Sequence, residues 1–486
     1  MGRRRAAFVF VDLLAVALVA IALFLVWPSS GDDVSRGRDP AKGAGEEAEE
    51  QQERTDQRLE ALRDAREAGL FGMREAALGE PAPGWVGEKV MNPRTDDWEP
   101  AVATDPSAPY VYVLTTRYGT GKACQGNCPT PYIVLEVSND GGKTWSDGAP
   151  LCPCKGSGQY DPIIEVVADT GDVYATYMSG FNVVFIRSTD HGKSWSEPVP
   201  TWGKVSWNDK PTMAVSADGR DVYISWNGPN GGDPWIAQSH DVGETWAQAL
   251  LDEGDRYYFA YDGAVMDDGT VVLSESSITY TGPGAAPEGV VRQHAFVSED
   301  RGTTWTNVVV DSVPVGIPCA DCRADYYIGH TSVSVDDEGL LAYAYDAATQ
   351  DLGPERAYVR TSTDGGLTWS SRRALSARGE HATSPMVEAT GDGDLRLVYM
   401  LTSGGYDLDR WNAWYRRSTD GGATWSAPVK ISDKTSGARY KHADGFEEIY
   451  GDYGEIAITN RGKTFAIWGE AFSYVGPGGS WFNRGV

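Results

Sequence analysis

One eight-residue motif occurs six times in this chain and restricts its fold more than any other feature. The first copy is Ser138-Asn139-Asp140-Gly141-Gly142-Lys143-Thr144-Trp145, and all copies keep the pattern Ser-x-Asp-x-Gly-x-(Ser/Thr)-Trp. The aspartates of the six copies are Asp140, Asp190, Asp241, Asp300, Asp364 and Asp420. Successive aspartates lie 50 to 64 residues apart. A motif that recurs at this spacing is typical of a propeller or another repeat array.

Each copy has the chemistry of a tight structural turn. The aspartate can accept hydrogen bonds from backbone N–H groups just ahead of it, and the glycine can adopt the positive φ that such a turn requires. The final tryptophan can bury its ring against the sheet beneath. We therefore expect the six aspartates to be structural.

The motif resembles the Asp-box, or bacterial neuraminidase repeat, which occurs in sialidases and in several propellers that are not sialidases. The resemblance covers residues from about 85 to the end of the chain. It implies an all-β propeller, but it specifies the fold far better than the reaction, because one fold carries many functions.

The pattern of strands predicts seven blades. Each motif follows two short alternating runs, and such pairs occur near residues 99–115, 161–177, 211–226, 261–275, 330–345, 384–400 and 452–468. There are seven strand pairs but only six motifs, so one blade must lack an Asp-box. This is explained if residues 481–484 form the third strand of a seventh blade and residues 87–90 form its fourth. Closure by both ends of the chain removes exposed sheet edges. A six-bladed ring, usual in sialidases, is the second choice.

The N-terminal part differs from the rest in composition. Three arginines at positions 3–5 precede a run over residues 6–27 whose only charged residue is Asp12. This run predicts an uncleaved signal anchor over residues 1–28, with the rest of the chain outside the cytoplasm. Residues 29–84 carry mixed charges and a helical pattern, and they predict a partly helical stalk. The propeller then occupies residues 85–486.

The net charge of −27, from 42 basic and 69 acidic residues, argues against a nucleic-acid groove. It fits an extracytoplasmic surface and leaves room for a bound cation.

The face opposite the Asp-boxes is the predicted site. The loops that enter the inner strands lie on this face, and propeller geometry directs their residues toward one central channel. The residues at these positions are Glu99, Asp161, Asp209, Asp262, His330, Ser384 and Asp452. Converging carboxylates such as Asp161, Asp209, Asp262 and Asp452 could hold Ca²⁺ or another divalent cation. The alternative is that each carboxylate caps its own loop.

Six cysteines form three close pairs on the same predicted face: Cys124 and Cys128, Cys152 and Cys154, and Cys319 and Cys322. An even number outside the cytoplasm indicates disulfides, whose pairing the sequence leaves open. Four thiolates around Zn²⁺ are the alternative.

Histidines and arginines are also predicted on this face. They are His330, His381, His442, Arg256, Arg323 and Arg439. The histidines are candidate ligands or glycan contacts, or else ordinary loop residues. His191 and His240 lie inside Asp-boxes and are discounted.

The resemblance to sialidases is partial at the residues that would carry catalysis. Sialidases hold the substrate carboxylate with three arginines and use a tyrosine nucleophile supported by a glutamate, together with an aspartate acid/base. The segment Tyr453-Gly454-Glu455-Ile456 resembles the nucleophile segment, with Glu447 or Glu448 as the supporting glutamate. Arg117 resembles one of the arginines.

Two elements of the sialidase pattern are missing. The first arginine is replaced by the sequence Trp98-Glu99-Pro100, and a buried negative charge there would repel the carboxylate of sialic acid. Residues 118–133, where the catalytic aspartate is expected, contain no acidic residue.

Three function classes follow. The first is a sialidase-like propeller that recognises, and in an exo-sialidase or glycoside hydrolase reaction cleaves, a glycan or glycoconjugate. Its catalytic residues would be Tyr453, Glu447, Arg117 and a channel carboxylate such as Asp161, and its substrate-binding residues would be Glu99, Arg256, Arg323, His330 and His442. The second is a non-catalytic scaffold that docks a protein or ligand. The third is a metal-dependent enzyme that uses the channel carboxylates.

Overall fold

The computed structural model describes residues 40–71, 79–119, 128–151, 156–205, 207–228, 232–254, 256–280, 287–315, 329–351, 353–402, 411–433, 454–471 and 476–486. Within these ranges no helix is both long and apolar enough to cross a bilayer. The predicted anchor over residues 1–28 lies outside them.

One long helix precedes a chain of short strands. The helix is α1 (Pro40–Glu67). The strands are β1 (Lys89–Val90), β2 (Asp96–Thr104), β3 (Val111–Tyr118), β4 (Tyr132–Ser138), β5 (Ala149–Pro150), β6 (Gln159–Val166), β7 (Val173–Ser179), β8 (Val183–Ser188), β9 (Val199–Pro200), β10 (Asp209–Val215), β11 (Val222–Asn227), β12 (Pro234–Ser239), β13 (Ala247–Leu250), β14 (Tyr257–Val265), β15 (Val271–Tyr280), β16 (Pro287–Ser298), β17 (Thr306–Pro314), β18 (Thr331–Val335), β19 (Leu341–Ala348), β20 (Glu355–Ser362), β21 (Arg373–Ala374), β22 (His381–Thr390), β23 (Asp394–Thr402), β24 (Trp411–Ser418), β25 (Val429–Lys430), β26 (Glu455–Ile458), β27 (Thr464–Ala471) and β28 (Gly478–Arg484).

The strands form seven antiparallel sheets of four strands each, which are the blades of a propeller. The first six blades are consecutive groups of four, from β2–β5 to β22–β25, and blade 7 has the order β26, β27, β28, β1. The innermost strand of each blade contacts the innermost strand of the next, and β26 contacts β2, so the ring is closed. The predicted seven-bladed, all-β propeller is confirmed, and the six-bladed second choice is wrong.

Blade 7 is closed by both ends of the propeller sequence, as predicted. In β1, Lys89 pairs with Phe482 and Val90 pairs with Trp481 of β28. Asp433 of blade 6 reinforces the closure, because its carboxylate accepts hydrogen bonds from the backbone N–H groups of Ala82 (2.9 Å) and Glu88 (3.1 Å). The same carboxylate accepts a third bond from the side-chain amide of Asn483 at 3.1 Å.

The Asp-boxes connect the third and fourth strands and share one hydrogen-bond pattern. In the first box, Oδ1 of Asp140 accepts from the backbone N–H of Thr144 at 2.9 Å, and Oδ2 accepts from its hydroxyl at 2.7 Å. The hydroxyl of Ser138 donates to Asp140 and accepts from the N–H of Gly142. The other five boxes repeat these bonds. The bonds lower the pKa of the box carboxyls.

The box loops also join neighbouring blades. The ring of Trp145 packs edge-on against Phe465 and Phe482 of blade 7, and Trp246 packs against Phe185 of blade 2. The glycine of the third box, Gly243, has a φ of 81°, and a Cβ at this position would lie 2.1 Å from Phe185. The motif therefore needs glycine both for its turn and for close packing against the preceding blade.

A bulge recurs where several inner strands begin. Glu99, Asp161, Lys210 and Ser384 all have a φ near +50° and are all followed by proline. The register of each inner strand shifts at this point. Such bulges redirect side chains, and here they lie at the end of the channel opposite the Asp-boxes.

The second half of α1 packs on this same end of blade 1. The guanidinium of Arg58 lies 3.9 Å from the ring centre of Trp98 and 4.4 Å from that of Tyr118. Leu62 is buried, and it would lie 3.0 Å from a Cβ at Gly119. Within the predicted stalk, the described residues Pro40–Glu67 are helical, and part of this helix lies against the propeller instead of only extending away from it.

Candidate functional site at the channel mouth

The inner strands surround a central cavity of about 620 Å³. Its lining runs from Pro106 and Asn460 at the Asp-box end to Tyr261, His330 and Ser384 at the opposite end. We call this opposite end the mouth. It is the predicted position of the site.

Two of the residues predicted at the mouth, Asp209 and Asp262, are not at the bulges. In blade 3 the bulge residue is Lys210, whereas Asp209 precedes it and accepts a hydrogen bond from the backbone N–H of Lys210 at 3.0 Å. In blade 4 the register shifts at Tyr261, and Asp262 is the next paired residue, one step further into the channel. The mouth therefore presents a lysine and a tyrosine where the sequence analysis places two aspartates. The X-Pro dipeptide is the sequence signal that identifies the bulge in blade 3.

Two carboxyl groups from neighbouring blades meet at the mouth. Oε2 of Glu99 accepts hydrogen bonds from the hydroxyl of Thr116 at 2.6 Å and from the backbone N–H of Asp161 at 3.0 Å. The side chain of Asp161 is also hydrogen-bonded to Glu99. Burial and the charge of Glu99 raise the pKa of Asp161 well above its ordinary value. Asp161 is therefore the proton-carrying member of the pair.

Lys210 completes this side of the mouth. It is buried, and its charge acts on Asp161 in the direction that lowers the pKa of that carboxyl. Burial and Glu99 outweigh this effect, because the pKa of Asp161 remains raised. Three neighbouring blades thus supply two carboxyls and one cation at equivalent backbone positions.

A histidine and a buried aspartate lie on the other side of the ring, in blades 5 and 6. The backbone N–H of His330 donates to Oδ1 of Asp346 at 2.7 Å, and its Nδ1 lies 3.3 Å from Oδ2. Thr383 donates to Oδ2 through its hydroxyl at 2.6 Å, and Ser384 does so through its backbone N–H at 2.9 Å. The ring of Tyr261 lies 5.1 Å from that of His330.

Besides Asp337 at the Asp-box end, four carboxyls line the channel below the mouth: Glu165, Asp262, Glu388 and Glu455. Burial raises the pKa of all four, to about 6 for Asp262 and to about 8 for Glu388. Repulsion between their charges adds to this effect for Glu165, Glu388 and Glu455. Glu165 and Glu388 are absent from the predicted site, because their inward direction depends on the register beyond each bulge.

These channel carboxyls also link neighbouring blades. Asp262 of blade 4 accepts from the hydroxyl of Ser332 at 2.8 Å and from the N–H of Val333 at 3.1 Å, both in blade 5. Glu455 of blade 7 accepts from the N–H of Val102 in blade 1. The described residues include no group of three or more His, Cys, Asp or Glu side chains placed to hold a metal ion. They therefore lend no support to a metal at Asp161, Asp209 and Asp262.

The two described arginines of the predicted site are held by other parts of the protein. Arg117 is buried and forms a two-point ion pair with Asp97, at 2.6 and 2.8 Å. Arg256 donates to the hydroxyl of Ser277 at 2.7 Å and to the carbonyl of Val290 at 2.6 Å. This geometry does not fit the predicted roles of Arg117 as an anion clamp and of Arg256 as a substrate contact.

Other candidates are structural or lie outside the described residues. His381 is buried, accepts from the N–H of Glu355 at 3.0 Å and packs against Trp411. Cys128 takes part in a disulfide, while the other five cysteines lie outside the described ranges, so their pairing stays a prediction. The remaining candidates outside these ranges are Tyr453, Glu447, Glu448, Arg323, His442, Arg439 and Asp452.

Comparison with known proteins confirms the resemblance that the repeats indicate. The chain is 24% identical over 324 residues to a sialidase of Bacteroides fragilis, a match that covers 57% of this chain and 54% of the relative. It is 25% identical over 335 residues to a probable oligoxyloglucan-reducing end-specific xyloglucanase of Neosartorya fischeri, with 57% and 38% covered. The chain thus spans about half or less of the curated relatives it matches. No protein-family model matches it.

A solved protein of unknown function from Dyadobacter fermentans is similar in structure, with 16% identity and a TM-score of 0.47. This similarity covers 83% of this chain and 100% of that protein.

Proposed function

We propose that this protein binds a glycan at the mouth and hydrolyses a glycosidic bond there. The observation that carries the proposal is the Glu99–Asp161 pair, in which Glu99 accepts from the backbone N–H of Asp161 while burial and the charge of Glu99 raise the pKa of Asp161. Glycoside hydrolysis needs a carboxyl that is protonated near neutral pH and can donate to the leaving oxygen. The two curated relatives are named as hydrolases of glycans, which supports this reaction class.

Asp161 is the proposed general acid. Its proton passes to the glycosidic oxygen as the bond from that oxygen to the anomeric carbon breaks. The charge of Glu99 raises the pKa of Asp161 and that of Lys210 lowers it, so both groups set how readily the proton leaves. In the sialidase-type form of the reaction, Tyr453 attacks the anomeric carbon with Glu447 as its base, and water then releases the sugar.

A neutral glycan fits the mouth better than a sialic acid. Glu99 stands at the position of the first sialidase arginine, and a carboxylate there repels a substrate carboxylate. Arg117 and Arg256 are bound to other protein groups and do not offset that charge. We therefore propose xyloglucan-like neutral oligosaccharides before sialosides as substrates.

Hydrolysis by the purified full-length protein tests the proposal. Sialyllactose and xyloglucan oligosaccharides are the two probes, and Asp161→Asn is the central variant. Asparagine resembles the protonated carboxyl and can still donate to Glu99, so the fold is expected to persist while turnover falls by about 10²-fold or more. Glu338→Gln, at an exposed position, is the matched control.

The outcomes separate the alternatives. Turnover of sialyllactose that Tyr453→Phe abolishes would replace the neutral-glycan assignment with the sialidase-type one. Binding of either probe without turnover would refute catalysis and leave a glycan-binding module. Neither binding nor turnover would favour the protein-docking scaffold.

We also propose that residues 1–28 anchor the protein in a membrane with the propeller outside the cytoplasm. The apolar run with its arginine flank supports the anchor, and the disulfide at Cys128 supports an oxidising compartment. Membrane fractionation, followed by protease treatment of intact cells, tests both parts. A soluble or protease-protected propeller would contradict them.

A further inference from the structure

We propose that Arg58 of α1 is a positioning residue for the Glu99–Asp161 pair, so that the N-terminal helix supports the mouth from outside the cavity. This assignment rests on the proposed function and deepens it, because it adds a residue from outside the blades to the site. It is based on three observations: the buried face of α1, the two rings that Arg58 contacts, and the strand ends to which these rings belong.

One face of α1 is buried. The side chains of this face that are no more than 4% exposed are Thr55, Arg58, Leu62 and Ala65. They follow one another at intervals of three or four residues, which is the spacing of a single helix face. Leu62 and Leu59 approach Gly119 at the end of β3, where a Cβ would lie 3.0 and 3.8 Å from them. Arg58 therefore lies within a continuous packed face and not at an isolated contact.

The guanidinium of Arg58 lies against two aromatic rings. Its central carbon is 3.9 Å from the ring centre of Trp98 and 4.4 Å from that of Tyr118. The two rings meet at 79° and form two walls around the cation. All three side chains are buried, and a cation–π contact is stronger for a desolvated cation than at an exposed site. The contact therefore fixes the two rings relative to each other.

These rings belong to the strand ends that carry the carboxyl pair. Trp98 directly precedes Glu99 in β2, and Tyr118 is the last residue of β3. Trp98 pairs with Thr116 across the two strands, and the hydroxyl of Thr116 donates to Glu99 at 2.6 Å. The cation thus joins β2 and β3 at the point where Glu99 receives its hydrogen bond from β3.

Glu99 depends on such support because its backbone has an unfavourable conformation. Its φ of 52° lies in the left-handed region, which is costly for a residue with a side chain. The register between β2 and β3 shifts directly after Trp98, so regular strand pairing does not hold Glu99 in place. Its carboxylate nevertheless has to stay 3.0 Å from the backbone N–H of Asp161. Fixing the preceding ring limits the conformations that the bulge can adopt.

The helix supports the mouth and does not close it. No described residue of α1 lines the central cavity, whose wall on blade 1 begins at Pro100, directly after Glu99. Weakening the contact between α1 and blade 1 is therefore expected to lower turnover, because the bulge is loosened. If α1 were a lid, the same change would raise turnover.

Kinetics of the full-length protein with xyloglucan oligosaccharides test the assignment. Arg58→Met keeps the length and the apolar packing of the side chain but removes the cation, and it is expected to lower kcat by about tenfold with KM changed less than about threefold. Arg58→Lys keeps a cation without the planar guanidinium, so its kcat is expected to fall by only about threefold. Arg63→Met makes the same change at an exposed position of α1 and is the matched control with unchanged kcat.

The pH profile separates positioning from a general loss of stability. The charge of Glu99 raises the pKa of Asp161, while Lys210 and Asp209 also act on that carboxyl and are left in place. A Glu99 that has moved away leaves Asp161 easier to ionise, so the alkaline limb of kcat/KM is expected to move to lower pH by about 0.5 unit in Arg58→Met. A lower amount of folded protein reduces the rate at every pH and leaves the limb where it is.

The outcomes are distinguishable. In either folded variant of Arg58, a kcat and an alkaline limb equal to those of the parent protein would overturn the assignment while glycan hydrolysis stands. An increased kcat would overturn it in favour of a lid. Absence of turnover by the parent protein, with sialyllactose as well as with xyloglucan oligosaccharides, would overturn the proposed function itself and the role of Arg58 with it.

Discussion

The channel carboxyls predict that one substitution stabilises the protein increasingly as the pH rises. Glu388 lines the channel in blade 6, where burial and the charge of Asp262 raise its pKa from an ordinary value of 4.5 to about 8. The hydroxyl of Ser334, which lies 3.3 Å away, and the charge of Arg396 act in the opposite direction. Glu388→Gln removes the ionisation while keeping an oxygen that Ser334 can reach.

The size of the effect follows from the difference between the two pKa values. They differ by about 3.5, and each pH unit corresponds to about 1.4 kcal/mol, so full ionisation in the folded state costs at most about 5 kcal/mol. The side chain borders the open channel, where water screens part of this cost, and we expect about 2 kcal/mol.

The sign of the pH dependence is defined. Because the pKa is raised in the folded state, the contribution of Glu388 to stability is complete below pH 4.5 and is lost as the pH rises through about 8. Glutamine stays neutral throughout. The variant is therefore expected to exceed the parent protein by less than about 1 kcal/mol at pH 5 and by about 2 kcal/mol at pH 9.

Urea unfolding of the full-length protein at pH 5, 7 and 9 measures this difference from the transition midpoints. Glu338→Gln removes one acidic group at an exposed position, and it controls for the change in net charge. Equal pH dependence in the Glu388→Gln variant and the parent protein would refute the reasoning. A loss of stability at pH 9 would show that the carboxylate is favourable where it lies.

Two further predictions concern the framework. Val242 holds a β-branched side chain at a φ of 59°, so Val242→Gly is expected to raise the free energy of unfolding by about 1 kcal/mol. The converse change at the same box position, Gly365→Val, is expected to lower the free energy of unfolding. A Val242→Gly variant less stable than the parent protein would contradict this. Asp433→Ala removes the acceptor of three hydrogen bonds at the closure of blade 7 and is expected to lower the free energy of unfolding by about 2–4 kcal/mol. The control, Asp392→Ala at an exposed turn, is expected to change it by less than about 0.5 kcal/mol. Equal urea midpoints for the two variants would show that Asp433 does not stabilise the closure.

The architecture could be predicted because its signals are local and repeated. The Asp-boxes identify one loop in six blades, and the alternating strand pairs identify the seventh blade. Even the closure by residues 87–90 and the last strand follows from the count of strands and boxes. Each of these inferences uses short segments whose pattern is independent of the rest of the chain.

The mouth was harder to predict, because a bulge moves every later side chain. Asp209 and Asp262 are the acidic residues nearest the ends of their strands, but Lys210 and Tyr261 occupy the bulges. The ion pair between Asp97 and Arg117 could not be predicted either, because it depends on the register between β2 and β3, in which the two residues are direct neighbours. Sequence patterns reveal alternation within a strand, whereas the register between strands requires the three-dimensional arrangement.

Because both ends of the propeller sequence meet in the seventh blade, the chain could be joined there and opened elsewhere without changing how the blades are arranged around the ring. Trp85 and Gly485 already form a β-bridge, and the backbone N–H of Val486 donates to the carbonyl of Gly84. A short linker between these residues, with new termini opened in an exposed turn such as that at Asp392, would give a circular permutant of the ring. In such a permutant every blade would be built from one continuous segment, except the blade that contains the new ends. The new termini could then be placed either far from the mouth or next to it.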